Sequence, residues 1–346
     1  MRRYACNNMG ITIPIYESPY FEYYADILSG LHDVKEAVRI AEEGVALHGD
    51  EQGLLAHRDD AMKRMVSSVS EHPGFRAWKS RRIGEPIHRR KTTSKNAINM
   101  NNVGRTFWKI DLVQADYHSI AISHPQIFNN SPSYGAWVST FSETPYVVRS
   151  KRIRNMVFGQ LDPGHQQFIE RNVTETILDV CVETGAVAES DIVHVMHDEA
   201  LLSVEPPADL QERLAAVGAG YPFRVKKIDV RRVDGTKFLY TVTDGRMKPF
   251  AVPSAYIPQI WKIINGLPIA EMDLYFPYDG RIAMFAQPIV GEISMAGEPE
   301  KDEIVFPGVR TETFIPMMDR LSEDDKAELR VRLKELGERF HDGKAT

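Results

Sequence analysis

Three acidic positions stand where short apolar runs give way to polar residues. Asp111 follows TFWKI, Asp116 comes five residues later, and the pair Asp198 and Glu199 separates IVHVM from ALLSV. Carboxylates at strand ends can be exposed without breaking a core, and two such ends side by side can hold two divalent ions, Mg²⁺ or Mn²⁺. Ions held in that way activate an attacking oxygen and stabilise a leaving pyrophosphate during in-line displacement. Taken singly, each acid is ordinary turn chemistry. Their order along the chain points further: a basic stretch, a strand with an acid, a glycine turn into a helix, a hairpin with acids, then lysines. The basic stretch, 76–95, carries Arg76, Lys79, Arg81, Arg82, Arg89, Arg90, Lys91 and Lys95 against a single acid, Glu85. Such a run is either a solvated surface or a phosphate-binding loop.

The histidines allow another chemistry. His194 and His197 lie three apart and lead into Asp198, with His118, His124 and His165 elsewhere. Imidazole with carboxylate suits Zn²⁺ or Mn²⁺, as in a His-Asp phosphohydrolase. IVHVM reads as a strand, however, and strand residues three apart point to opposite faces, so the two histidines are not expected to share a metal.

The elements that must position these residues follow from periodicity. Segment 21–70 shows apolar residues at spacings of three and four and predicts two packed helices after an irregular start. TFWKIDLV predicts a strand, 165–183 a helix, and DIVHVM-HDE-ALLSV a hairpin with two carboxylates at its turn. PPADLQERLAAV predicts a helix opening after proline. FRVKKIDVRRV and TKFLYTV predict a second hairpin, with Asp234 and Gly235 favouring a tight turn. Segment 245–315 mixes short elements, and 321–340 predicts a helix capped by Ser322 and Asp325.

The chain has 346 residues, 43% of them hydrophobic and 26% charged, with a net charge of −6 and two cysteines. That length supplies a sizeable core in two or three lobes. Cys6 and Cys181 alone exclude a disulfide scaffold and an all-cysteine zinc site. The sequence offers no apolar run of membrane-spanning length. MRRYACNNMG has no apolar stretch behind it, so no secretory leader is expected. The negative balance argues against wholesale coating of nucleic acid but permits a local basic channel.

This order of elements resembles the palm of right-hand nucleic-acid polymerases. DLVQAD (Asp111 to Asp116) is similar to motif A of viral RNA-dependent RNA polymerases. PGHQQFIERN resembles motif B, with Gly164 at the turn and Asn172 eight residues on. HDE (His197 to Glu199) stands at the Gly-Asp-Asp hairpin, Lys226 or Lys227 at the motif D lysine, KFLYTV at motif E, and 76–95 at the basic motif F. Departures are His197 for the glycine, Glu199 for the second acid, and Pro163 and Phe168 where motif B has Ser and Thr. KIDLVQADYHSIAI with MVFGQLDPGHQQF also resembles reverse transcriptase. LVQADYHSI and HDEALLSVEPP resemble bacterial-type family A DNA polymerases, although the interval is short for their fingers and Ala121 takes the place of the sugar-excluding glutamate.

The resemblance implies an α+β right-hand polymerase with an N-terminal helical fingers region over 1–103, a palm over 104–243 and a small thumb over 244–346. It implies an RNA-directed RNA polymerase using two Mg²⁺ (or Mn²⁺), with nucleoside triphosphates and a nucleic-acid template, RNA favoured, as partners. Asp111, Asp198 and Glu199 would hold metal. Asp116 and Asn172, if adjacent, form an acceptor–donor pair suited to a ribose 2′-hydroxyl. Lys226 or Lys227 would neutralise or protonate the pyrophosphate, while Arg81, Arg82, Arg89 and Arg90 would hold triphosphate or template. No membrane is expected; a protein partner could complete the fingers, and the setting would be host cytoplasm or virion. The departures in HDE also suit an inactive palm in a virion or scaffold protein.

Overall fold

Asp33 and Asp50 turn the apolar stripes of the N-terminal segment into separate helices. Their side chains accept from the backbone N–H groups of Glu36 (3.1 Å) and Gly53 (2.7 Å), which satisfies donors that a helix start leaves unpaired. The computed structural model describes residues 1–80, 90, 97–216, 220–278, 281–285 and 309–316. Its N-terminal helices are α1 (Arg2–Met9), α2 (Tyr20–Ile27), α3 (Val34–His48), α4 (Glu51–Ser70) and α5 (Pro73–Ser80). The expected irregular start is therefore partly helical, and the first expected helix is two, broken where Ser29 and Gly30 precede the Asp33 cap. Gly30 is required there: a Cβ would meet the Trp261 ring at 2.9 Å.

Strand β1 (Thr106–Leu112) leads into α6 (Ala115–Ala121), α7 (Tyr134–Val138), α8 (Pro145–Val148), α9 (Lys151–Gly159) and α10 (Pro163–Glu183). The hairpin β2 (Ile192–Val195) and β3 (Glu199–Leu202) follows, then α11 (Leu210–Ala216), β4 (Phe223–Arg232), β5 (Leu239–Thr243) and β6 (Arg246–Phe250). These strands form one sheet in the order β2-β3-β1-β4-β5-β6, every neighbour antiparallel. Its first four strands, with α10 and α11 as crossovers, make a β-α-β-β-α-β unit. The molecule is thus α+β, with helices packed on one face of an antiparallel sheet.

Period-two alternation sorts the two faces of that sheet. Ile110, Leu112, Ala200 and Leu202 bury against Ile177, Leu178 and Cys181 of α10 and Leu210 and Leu214 of α11. Phe107, Leu201, Ile228 and Val230 form a smaller cluster with Ala97 on the opposite face.

The chain then forms α12 (Ile257–Ile264) and a sheet of β7 (Tyr275–Tyr278), β8 (Arg281–Phe285) and β9 (Val309–Pro316). Trp261, Met272, Tyr275 and Ile282 share a core with α1, α2 and α3, so residues from both ends of the sequence pack together. Lys262 Nζ lies 2.7 Å from the buried Asp273 and 2.6 Å from Tyr23 Oη, which pins α12 to α2. The main sheet runs past 243 because Asp244 and Gly245 (φ 51° and 73°) reverse the chain in two residues between Thr243 and Arg246. The expected tight turn at Asp234 and Gly235 is a wider loop, closed where the Val233 N–H donates to Phe238 O at 2.9 Å. Among the described residues no helix is long and apolar enough to cross a membrane. The expected helix over 321–340 lies outside the described residues.

Candidate active site

Strand β1 carries Asp111 to the end of the sheet, on the face away from α10. There it lies across from Glu199 on β3 and Arg224 on β4. The hairpin tip is fastened to this spot from three sides. The Leu112 N–H donates to Asp198 O (2.9 Å), the Thr174 hydroxyl to His197 O (2.9 Å), and Arg171 Nη1 to Met196 O (3.2 Å). Side-chain donors of α10 and a backbone N–H of β1 therefore hold the HDE segment, so Asp198 is positioned by the fold. Glu199 is the first residue of β3 rather than part of the tip.

Asp111 and Asp198 line one cleft of about 630 Å³ with Asp116, Glu170, Lys151, Arg154 and other residues. Asp116 stands in the first turn of α6, directly after β1, where it accepts from the Tyr117 N–H (2.9 Å) and Arg154 Nε (3.1 Å). Glu170 comes from α10, whose N-terminus is set by Asp162 accepting from the His165 N–H at 3.2 Å and by Pro163 at its first position.

The carboxyls of this cleft titrate differently. Burial would raise Asp111, but hydrogen bonds and charge from Lys226 and Lys109 outweigh it and hold the group below its ordinary value. Lys226 Nζ is 3.0 Å from Asp111 Oδ2, and Lys109 Nζ is 3.1 Å from Oδ1 and also pairs with Glu199. Asp198 is raised, chiefly by burial and further by the charges of Glu199 and Asp111. Asp116 is raised by burial despite Arg154. Burial together with Asp198 and Asp116 pushes Glu170 up to about 8. Lys151, Arg154 and Arg224 also line this cleft, so carboxyls and cations share it.

A second cleft of about 1070 Å³ runs over the open face of the sheet. Lys109, Arg224, Lys226, Arg246 and Lys248 supply its cations, and Met196, Leu201, Ile228 and Phe250 its apolar floor. Glu199 lines this cleft and not the first.

Other expected site residues are placed apart. Lys227 pairs with Trp108, so it points to the helix side of β4, away from Asp111, and it is exposed. Asn172 does not bond Asp116. It lies two residues beyond Glu170, roughly 200° around α10, and its buried amide has no hydrogen-bond partner among the described residues. Gly164 sits inside the first turn of α10 rather than at a turn before it, and a side chain there would have room. Arg90 is occupied by Glu175 (2.8 Å), Asp179 (2.8 Å) and Glu189 (2.6 Å), with Glu175 wholly buried, so its guanidinium is engaged by acids instead of facing phosphate. Arg81, Arg82 and Arg89 lie outside the described residues. His197 lines the acidic cleft and His194 the basic one, which separates the two as strand geometry requires.

Sequence reasoning passed over five residues of these clefts. Lys109 was accessible from period two, being two residues before Asp111 on one strand face. Glu170 follows from period 3.6 out of the first turn of α10. Lys151 and Arg154 form, with Arg152, a short basic run with helical spacing. Arg224 carried no local signal, because only the β1–β4 register brings it opposite Asp111.

Among the described residues no three His, Cys, Asp or Glu side chains form a preformed metal centre. Mg²⁺ does not require one, since it commonly takes one or two carboxylates and completes its shell with water and substrate phosphates. Asp111 and Asp198 fit that pattern, because their carboxyls line one cleft, with Lys109 and Lys226 paired to Asp111. Glu199 lines the other cleft and does not fit. Comparison with protein-family models, curated proteins and solved structures returns no match to this chain.

Proposed function

We propose that this chain is a template-directed nucleotidyltransferase of the palm type, joining nucleoside triphosphates on an RNA template. One observation carries the reading: β1 and β3, adjacent inner strands of a β-α-β-β-α-β sheet, bring Asp111 and the hairpin residue Asp198 to one cleft bordering a basic open face. Asp111 and Asp198 would hold the divalent ion. When bound there, it would neutralise charge on the transferring phosphoryl group and ease deprotonation of the attacking hydroxyl. Lys226 holds a proton at Nζ beside Asp111 and would give charge or that proton to the departing pyrophosphate. Lys109 bridges Asp111 and Glu199 as a cation, since burial would lower its affinity for a proton but hydrogen bonds and charge from those two acids raise it. Arg246 and Lys248 on the open face would carry template phosphates. The choice of RNA rests on the resemblance of DLVQAD and the HDE hairpin, because Asp116 and Asn172 do not form the sugar-reading pair.

A second reading, an inactive palm with a structural role, is favoured by the lysines already seated on Asp111. Incorporation of labelled NTP and dNTP on RNA and DNA templates with Mg²⁺ or Mn²⁺ separates the two. Polymerase chemistry predicts NTP incorporation on RNA, with either metal. Absence of incorporation with both metals, together with absence of template binding, leaves the structural role.

A further inference from the structure

Helix α9 presents Lys151, Arg154 and Asn155, at spacings of three and four, along one face to the acidic cleft. Arg154 is held in one orientation. Its Nε donates to Asp116 Oδ2 at 3.1 Å, and among the described residues neither terminal nitrogen has a partner. A guanidinium tethered at Nε presents its two terminal nitrogens as a fork, the arrangement that takes two oxygens of a phosphate at once. Lys151, one turn earlier, is exposed and has no partner among the described residues. Asp116 is well sited to orient Arg154: it is fixed by the Tyr117 N–H in the first turn of α6, and its carboxylate is spent on the arginine.

We propose that α9 is the triphosphate clamp of the cleft, with Lys151 and Arg154 as phosphate ligands and Asp116 as the positioning residue for Arg154. This rests on the nucleotidyltransferase reading and gives Asp116 a task other than reading the sugar. The incoming nucleotide is then held by the segment between the two catalytic acids, through its phosphates.

The test measures equilibrium binding of inorganic tripolyphosphate and of ATP by calorimetry to the full chain, alongside steady-state incorporation. Lys151→Ala and Arg154→Ala should each weaken tripolyphosphate binding by roughly tenfold or more, the ordinary worth of a charge-assisted hydrogen bond. Arg154→Lys should recover only part of it, since the charge returns without the fork. Arg152→Ala, on the same helix but away from the cleft, should change nothing. Asp116→Asn should raise KM for NTP and dNTP alike with little change in kcat. Lys151 is exposed, so its substitution does not threaten the fold, and thermal melting checks the others. Tripolyphosphate binding unchanged by Lys151→Ala and Arg154→Ala overturns the clamp while incorporation by the wild type keeps the polymerase reading. A change in the NTP to dNTP ratio in Asp116→Asn, with tripolyphosphate binding unaltered, overturns the positioning role. Tripolyphosphate binding that depends on α9 in a protein that incorporates nothing supports the clamp and ends the polymerase reading.

Discussion

Two clefts meet at the end of β1, and they are built from opposite charge. The one between β1, α6, α9 and α10 gathers Asp111, Asp116, Glu170 and Asp198 around a buried floor. The one over the open sheet face gathers Lys109, Arg224, Lys226, Arg246 and Lys248 over apolar side chains. A single strand feeds both, since Asp111 lines the first and Lys109, two residues earlier, lines the second. Arg224 borders both. On the proposed function the difference is a division of labour: the carboxylates would hold a cation and serve the chemistry, while the dispersed cations over an apolar floor would hold a polyanion without reading it.

The largest effect expected from breaking this division is on turnover. Asp198→Asn preserves shape and removes the charge that a metal ligand must bring. Incorporation should fall by roughly two orders of magnitude or more, as for loss of a main electrostatic group in a transition state. Glu199→Gln, in the other cleft, should cost far less. An equal loss in the two variants would mean that the acids act as one group and that the clefts are not distinct.

Stability against pH sharpens the same contrast. Glu170 is nearly buried, and its carboxyl is raised from an ordinary value near 4.5 to about 8. Between those values the folded chain binds more protons at this group than the unfolded chain does, so stability falls as pH rises through the window. Glu170→Gln removes the titration. The variant should match the wild type near pH 4 and exceed it above pH 8 by on the order of 1–3 kcal/mol, read by denaturant unfolding at each pH. A constant difference across that range would place the cause in packing instead.

Lys109 is the hinge of charge between the clefts. Lys109→Met leaves Asp111 and Glu199 facing one another across adjacent strands without their shared cation, which should cost about 1–2 kcal/mol of stability at neutral pH. Because Asp111 is held below its ordinary value, the loss should persist at pH 4 and shrink only as the pH falls through that lowered value, which denaturant unfolding across that range tests.

Much of this arrangement was legible in the sequence, and the failures have physical reasons. β1, the hairpin around HDE, α10 and β4 carried clear alternation or helical spacing between turn residues. Two of the four Asp-Gly pairs show the limit. Asp234 and Gly235 carry the same local signal as Asp244 and Gly245, yet only the latter form a two-residue turn, because pairing of Val233 with Phe238 takes up the former in a wider loop. Segment 245–315 was opaque for the same reason, as Pro249 weakens the strand signal of β6 although proline is tolerated on a sheet edge. At the site, reading PGHQQFIERN against a motif selected Gly164 and Asn172, whereas helical geometry selects Gln166 and Glu170. The partner of Asp116 was hidden because Arg154 lies 38 residues away in sequence. The ion pairs of Arg90 were hidden for a similar reason, since Glu175, Asp179 and Glu189 are distant along the chain.

The smallest single-residue effects belong to the basic face. Arg246→Ala or Lys248→Ala should weaken template binding modestly and reduce the slope of affinity against salt by about one released counterion each, with turnover at saturating template unchanged.

The central claim is that chemistry and polyanion binding reside in separate clefts. It is tested most directly by measuring template affinity and NTP incorporation together, in Asp198→Asn and in the double variant Arg246→Ala/Lys248→Ala. The division predicts that Asp198→Asn binds template as the wild type does and incorporates almost nothing, whereas the double variant binds weakly and recovers incorporation when template is raised. Loss of template binding in Asp198→Asn, or unaltered incorporation in that variant, would contradict it.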